Sequence, residues 1–413
     1  MPPPDARHPQ LLAYRSEFPL LDASVYLNTC SLGARTERSR GRLEAFLAEW
    51  DELGARAWYR RWLSALDELR ADLGAIVGVA GDEVSLAPNV STALAVVASA
   101  LDPIHRGDRA TLDRLEAAGV AAGKAPRPRV VTTALDFPTV GHQWLARAPL
   151  GVELVVVPSV DGLTVGLDAF AAAIDERTAL VATGHAFYTT GAVNDTAALG
   201  RLCHERGALL LVDGYQATGL LPTDLRASEV DIYVSGTLKW LFGGPGTAFL
   251  RVRPELHDAL VPTTTGWFSS ARQFAFAVEE LELAPDGRRY ELGTPSVPSA
   301  AIARGGTELV REIGVERLGE RTRDLGQLLI GLADEAGLTV RAVRDPERRA
   351  GIVAIAVDDP KPVVDGLAAD GIIVDYRPGI VRCSPAFYNT DEEVRLVVER
   401  LAAHVPGIAG AVS

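Results

Sequence analysis

Two residues in this chain are set where side chains do chemistry. Asp213 closes the apolar run Leu209–Val212 in LLLVDGYQATG, and 26 residues later Lys239 follows the apolar part of DIYVSGTLKW and precedes a Gly-Gly-Pro-Gly turn. Apolar runs of this length read as strands, and in an open α/β sheet ligands gather at the carboxyl ends of strands, so both residues belong to one crevice. A lysine becomes nucleophilic when burial or a neighbouring cation lowers its pKa, which makes Lys239 a Schiff-base candidate. An aspartate at the neighbouring strand end can hold the pyridinium nitrogen of pyridoxal phosphate and keep that ring protonated as an electron sink. Taken singly, Asp213 is equally a turn cap and Lys239 a surface lysine. The pair, with this spacing and these flanks, favours the site.

Three further segments carry candidate groups. In SLAPNVSTALAVV, Ser85–Val97, a strand passes through Pro88 and Asn89 into a helix whose first turn holds Val90, Ser91 and Thr92. Free amides and hydroxyls at a helix start suit a phosphate, although the same residues are ordinary helix caps. In ALDFPTVGHQW, Phe137 stands past an apolar strand and before a proline that can open a helix; it is placed to stack on a planar group or simply to join the core. RPGIVRCSPAFYN supplies Arg377 and Arg382, each suited to a bidentate carboxylate contact or to a structural ion pair.

The elements that must hold these groups follow from hydrophobic periodicity. Strands are expected at Glu83–Leu86, Arg129–Thr133, Glu153–Val157, Ala179–Thr183, Ala208–Asp213, Ile232–Ser235 and Thr247–Val252, with helices in the gaps, including Pro138–Ala146 and Asp195–Glu205. This is the α/β rhythm of a mainly parallel, mixed sheet covered by helices. Past about residue 295 the rhythm changes to a long helix with Leu318, Leu325, Leu329, Leu332 and Ala336 on one face, then short strands at Gly351–Val357, Ile372–Asp375 and Ile380–Cys383 and a last helix, Asp391–His404. The expected organisation is therefore an amino-terminal segment, 1–25, packed on the small domain; a large domain, 26–294, that carries the cofactor site; and a smaller α+β domain, 295–413. The stretch 102–128, weakly periodic and rich in Ala, Gly and Pro, is expected as a surface insertion.

Composition narrows the function classes. The 413 residues are 47% hydrophobic and 23% charged, and 54 acidic against 41 basic residues leave a formal charge of -13. No basic run offers a footprint for nucleic acid or an anionic membrane, and no apolar stretch approaches the roughly 18 to 20 residues of a bilayer span. The opening MPPPDARHPQ has neither the basic flank nor the apolar core of a secretory leader, and three scattered cysteines, Cys30, Cys203 and Cys383, supply neither a disulfide framework nor a CxxC metal site. A cytoplasmic, reduced protein without a metal centre is expected.

From FPLLDASVYLNTCSLGA near the start to RPGIVRCSPAFYNTDEEV near the end, the chain resembles the class V aminotransferase family of fold-type-I pyridoxal-phosphate enzymes, which includes kynureninases, cysteine desulfurases and isopenicillin N epimerase-like proteins. Only the stretch after Asp102 falls outside the likeness. The resemblance implies the fold-type-I architecture, with Lys239 bearing the Schiff base, Asp213 on the ring nitrogen and Gln216 near the phenolic oxygen. It also implies Val90 and Ser91 at the phosphate, with hydroxyls of Ser235 and Thr237 just ahead of the lysine. Phe137 would stack on the ring, Tyr188 would reach a ring oxygen or a substrate group, and Arg382 would hold the substrate carboxylate. Thr294, in RRYELGTP, resembles a threonine that reaches the phosphate of the neighbouring subunit, which implies a homodimer with shared active sites.

The likeness divides the reactions less sharply. A desulfurase needs a reactive cysteine on a mobile loop before the carboxylate-binding arginine, and none stands there; Cys30 alone is kept as a weakly reactive candidate. Kynureninase-like features are YLNTCSLG, Trp50, Trp58, Phe137, Tyr188, Gly266-Trp267-Phe268 and Asp375-Tyr376-Arg377, so Trp267 and Arg377 join the substrate candidates. One position departs: kynureninases usually carry Tyr directly before the lysine, and here it is Leu238. The resemblance therefore implies a kynureninase-like hydrolase or a C–S or C–C lyase, with an aminotransferase or epimerase as the alternative within the family. A non-catalytic cofactor-binding or regulatory protein is the alternative outside it.

Overall fold

Seven of the apolar runs assemble into one sheet. The computed structural model describes residues 3–405. A short strand, β1 (Val25–Tyr26), precedes the main sheet, whose strands are β2 (Ser85–Ala87), β3 (Arg129–Thr133), β4 (Glu153–Val157), β5 (Thr178–Gly184), β6 (Leu209–Asp213), β7 (Ile232–Gly236) and β8 (Ala248–Val252). Their order across the sheet is β2-β8-β7-β6-β5-β3-β4. β8 alone runs against its two neighbours; the other pairings are parallel.

Successive strand residues face opposite sides, which explains why these runs are apolar almost without break. Leu210 and Val212 join one core, while Leu209 and Leu211 join another that includes Ala93, Leu94 and Val97 of the helix Val90–Arg106. Each strand therefore ends abruptly where burial on both faces ends, and polar residues follow at the carboxyl edge.

The stretch 102–128 is not a surface insertion. Its first residues complete the helix Val90–Arg106, and Leu112 and Leu115 of the helix Arg109–Ala117 are buried with Val120 and Ala122 in the core on that face. Arg127 is buried as well, donating to the carbonyls of Ala122, Thr178 and Arg206, which ties the segment to β5 and the loop before β6. Only one face of a short helix and a few loop residues are covered, too little to produce a clear period.

The carboxyl-terminal part forms β9 (Val353–Ala356), β10 (Ile372–Ile373), β11 (Asp375–Arg377) and β12 (Ile380–Cys383). β11, β12 and β9 make an antiparallel sheet, and the helices Val315–Glu335, Pro360–Ala369 and Asp391–His404 cover it around Leu325, Leu329, Ile355, Val381 and Val397. β1 pairs with β10, Arg15 binds Glu393 and the Tyr388 carbonyl, and Arg321 binds Asp5, so the first residues lie against this unit. The helix Val297–Ile313 instead lays Ala300, Ala303, Leu309 and Val310 into the main core, beside helices Glu37–Leu53 and Leu63–Val77. The change of rhythm at residue 295 thus precedes the change of packing by one helix.

Candidate active site

Lys239, three residues past the end of β7, and Asp213, the last residue of β6, meet at the carboxyl edge of the sheet. Lys239 lines a cleft, its amine 4.5 Å from the ring centre of Tyr215 and 5.9 Å from that of Phe137. The surrounding protein disfavours its charged form, and desolvation lowers the pKa to about 8 although Asp213 opposes the shift. Asp213 is only 7% exposed. Burial raises its pKa to about 6, against the Tyr215 amide that donates to Oδ1 and the nearby Lys239. A low-pKa amine and a high-pKa carboxyl side by side are what acid–base work near neutrality requires.

The same cleft is lined by Val90, Ser91, Phe137, Tyr188 and Gln216. Asn89 accepts from the Thr92 amide and hydroxyl, leaving the first amides of the helix Val90–Arg106 facing the cleft without intrahelical acceptors. Ser91 and Thr139 share a hydrogen bond at the rim. Phe137 is 44% exposed and meets Tyr188 edge to face at 5.2 Å. Gln216 donates to the Cys30 carbonyl and accepts from the Trp240 indole, so its amide is pinned on both sides.

Other expected residues stand elsewhere. Ser235 points to the far face of the sheet, where its hydroxyl accepts from Thr218, and Thr237 folds its hydroxyl onto the carbonyls of Gly244 and Thr247. Neither hydroxyl faces the cleft, because strand alternation takes the first away and the Gly-Gly-Pro-Gly turn uses the second. Thr92 and the exposed Thr294 line an adjoining cavity with Gly246 and Thr247. Trp267 lies outside the cleft of its own chain: the loop turns outward into a hairpin, bridged at Ser270 and Leu283, where Trp267 stacks at 6.0 Å on Phe276. Arg382 is 1% exposed behind Tyr188, its guanidinium 5.9 Å from the Tyr188 ring centre, and Arg377 donates to Asp375 and to the Tyr376 carbonyl.

Sequence reasoning passed over Asp136 and Tyr215. Asp136 accepts from Thr132, Thr133, Thr183 and the Gly184 amide, clamping the ends of β3 and β5. Tyr215 lies two positions after Asp213, and its place in the D-G-Y-Q run was the available signal. Gly33, in the CSLGA turn, packs directly on the Lys239 carbonyl and donates to that of Leu238, which explains why this early motif belongs to the site.

Comparison with known proteins bears on the family and the fold. The chain is 32% identical over 393 residues to an uncharacterized aminotransferase, YcbU, of Bacillus subtilis, across 94% of this chain and 97% of that protein. It is 30% identical over 397 residues to a kynureninase of Pseudomonas fluorescens, across 93% and 90%. Among solved structures, a cysteine desulfurase from Thermococcus onnurineus matches with a TM-score of 0.80 at 20% identity, over 96% of this chain and 98% of that one. The cystine C-S lyase C-DES matches with 0.81 at 23%, over 94% and 100%. At such identities the structures speak to the fold, which is that of fold-type-I pyridoxal-phosphate enzymes. The family profile described as aminotransferase class-V covers residues 114–397, and with the full-length relatives it establishes that the chain belongs to the class V aminotransferase family.

Proposed function

We propose that this protein is a pyridoxal-phosphate-dependent enzyme that acts on an amino acid, with cleavage at the substrate's β-carbon as its reaction. The observation that carries the reading is the Lys239 amine, lowered in pKa and flanked by two aromatic faces, beside the buried carboxyl of Asp213. The residues fit the group: a flat ring between aromatic faces, a carboxylate for its nitrogen, and the first amides of a helix for its phosphate. When bound, pyridoxal phosphate supplies a conjugated, electron-withdrawing ring.

The chain's own groups have separate tasks. Lys239 takes and returns a proton at the substrate's Cα, a role suited to an amine with a pKa of about 8. Asp213 holds the proton on the ring nitrogen. Val90 and Ser91 present amides to the phosphate, and Phe137 stacks on the ring. Arg382, its Nε buried without a partner, binds the substrate carboxylate beside Tyr188.

Cleavage at the β-carbon is supported by the kynureninase relatives and by Phe137 and Tyr188 in the cleft. The cysteines Cys30, Cys203 and Cys383 are all buried, which speaks against a persulfide-forming cysteine. The relative named as an aminotransferase supports transamination as the second reading. Thr294, open to solvent in the adjoining cavity rather than in the Lys239 cleft, supports a homodimer in which it serves the partner's site. No helix among the described residues is long and apolar enough to cross a membrane. The unpaired cysteines fit a reducing compartment such as the cytoplasm.

The test is borohydride reduction of protein incubated with pyridoxal phosphate, followed by peptide mass spectrometry. A pyridoxyl adduct on Lys239, absent in Lys239→Ala together with turnover, is expected; an active Lys239→Ala variant overturns the reading. A panel of kynurenine, cysteine, cysteine sulfinate, alanine and ornithine then separates the reactions. Release of alanine from kynurenine, cysteine or cysteine sulfinate, or of pyruvate from cysteine, marks β-cleavage, and conversion of the cofactor to its amine form marks transamination.

A further inference from the structure

The wall of the cleft beside Lys239 lacks the hydroxyls expected of it. Ser235 and Thr237 are turned into the protein, and Leu238 contributes none. Tyr215 occupies that wall. Its ring lies 4.5 Å from the Lys239 amine, and it packs on the core that contains Val90, the first residue of the helix whose amides face the cleft. Gly236 is what admits the ring: a Cβ there would lie 2.5 Å from Cε2 and 2.6 Å from the phenol oxygen of Tyr215. The phenol oxygen thus stands where a side chain at position 236 would put its first atoms.

The phenols of Tyr26, Tyr233, Tyr290 and Tyr388 each have a hydrogen-bond partner in the protein. The hydroxyl of Tyr215 has none among the described residues, and the residue's one polar contact is the backbone amide on Asp213. A half-buried phenol that lines the cleft and has no protein acceptor is free to donate to a ligand there. Lys239 is the one basic side chain among the described residues that line the cleft, so a phosphate entering it meets mainly neutral donors.

Building on the cofactor reading above, we propose that Tyr215 is a phosphate-anchoring residue, its phenol donating to the cofactor phosphate and completing a cradle with the first amides of the helix Val90–Arg106. A hydrogen bond to a charged acceptor is strong enough to show as roughly a 10-fold or greater change in affinity.

The experiment compares equilibrium binding of pyridoxal phosphate and of pyridoxal, which lacks the phosphate, to cofactor-free protein. Wild type, Tyr215→Phe and the double variant Tyr215→Ala/Gly236→Ser are titrated by absorbance, with thermal melts of each cofactor-free protein. Tyr215→Phe is expected to weaken pyridoxal phosphate at least roughly 10-fold while changing pyridoxal by less than about twofold. Its melting temperature should match wild type. Recovery of phosphate-dependent affinity by the double variant supports the proposal, because its serine hydroxyl enters the space left by the phenol. Equal losses for both aldehydes, or no loss for either, overturn it. A wild-type protein that takes up neither aldehyde overturns the cofactor reading itself, an outcome distinct from any result for Tyr215→Phe.

Discussion

Asp375 and Arg382 stand opposite each other in the antiparallel pair β11–β12, and the Arg382 guanidinium donates to Asp375 Oδ2 through one amino group and to the Tyr188 carbonyl through the other. A strand of the carboxyl-terminal sheet and a loop of the main sheet thus share one buried cation. Burial works to raise the Asp375 pKa, but Arg382 and Arg377 outweigh it and leave the carboxyl below its ordinary value, so Asp375 is a carboxylate at neutral pH.

Because Asp375 sets the angle of the guanidinium, Asp375→Asn should reduce kcat/KM by roughly 10- to 100-fold through loss of orientation rather than of charge at Arg382. Arg382→Lys should do at least as much, since an ammonium cannot keep both fixed contacts and a free donor for the substrate. Steady-state kinetics with the best substrate of the panel decide it. A wild-type value for Asp375→Asn would remove Asp375 from the carboxylate site.

Capture of pyridoxal phosphate by cofactor-free protein requires the neutral amine of Lys239, whose pKa burial lowers from 10.5 to about 8. The bimolecular rate should therefore rise with pH and reach half its plateau near pH 8, measured by stopped-flow absorbance. A midpoint near that of an ordinary lysine would contradict the environment described for this amine. Between about 8 and 10.5 the unfolded chain binds a proton that the folded chain refuses, so this group makes the cofactor-free protein more stable as pH rises through that window.

Asp213 has the opposite slope. Its folded pKa of about 6 exceeds the ordinary 3.8, so between these values the folded chain holds a proton that the unfolded chain has lost. Its contribution to stability is present below that window and is lost as pH rises through it. Asp213→Asn should consequently stabilise the cofactor-free protein at pH 7.5 by about 1–3 kcal/mol and flatten the profile between pH 4 and 6. Turnover should fall by roughly two orders of magnitude or more. Thermal melts across that range, in parallel with assays, would show a destabilised variant if the burial argument is wrong.

Glu291 receives two hydrogen bonds from Arg70 and one from the Leu86 amide, all buried. It joins β2, which leads to the helix start at Val90, to the loop that carries Thr294. Glu291→Ala removes the buried carboxylate that takes two of the Arg70 hydrogen bonds and leaves that guanidinium with Asp67, at a cost of about 3–5 kcal/mol. Urea denaturation should show the loss, with Glu291→Gln intermediate; a change under about 1 kcal/mol would mean that water replaces the pair.

The sequence by itself determined the frame and the places of Asp213 and Lys239 at its edge. Strand ends are written locally: both faces of β6 and β7 are buried, so the apolar runs stop at Asp213 and Gly236, and the polar residues that follow must emerge at the carboxyl edge. Phe137 was legible for the same reason, Tyr188 only through the family likeness, and the helix Asp391–His404 was legible because Thr390 and Glu393 cap it within one turn.

Direction and partnership were decided by the tertiary structure. Alternation carries Ser235 to the far face, and the turn after Lys239 draws in the Thr237 hydroxyl, while the space over Gly236 is left to Tyr215. Arg70 finds Glu291 from 221 positions away, and Arg382 finds the Tyr188 carbonyl from 194. The buried face of 102–128 exists only against the main sheet. Periodicity reports which residues leave water, because burial is set by the element to which a residue belongs. It cannot report what they meet, because that depends on the register of strands and helices far apart in the chain.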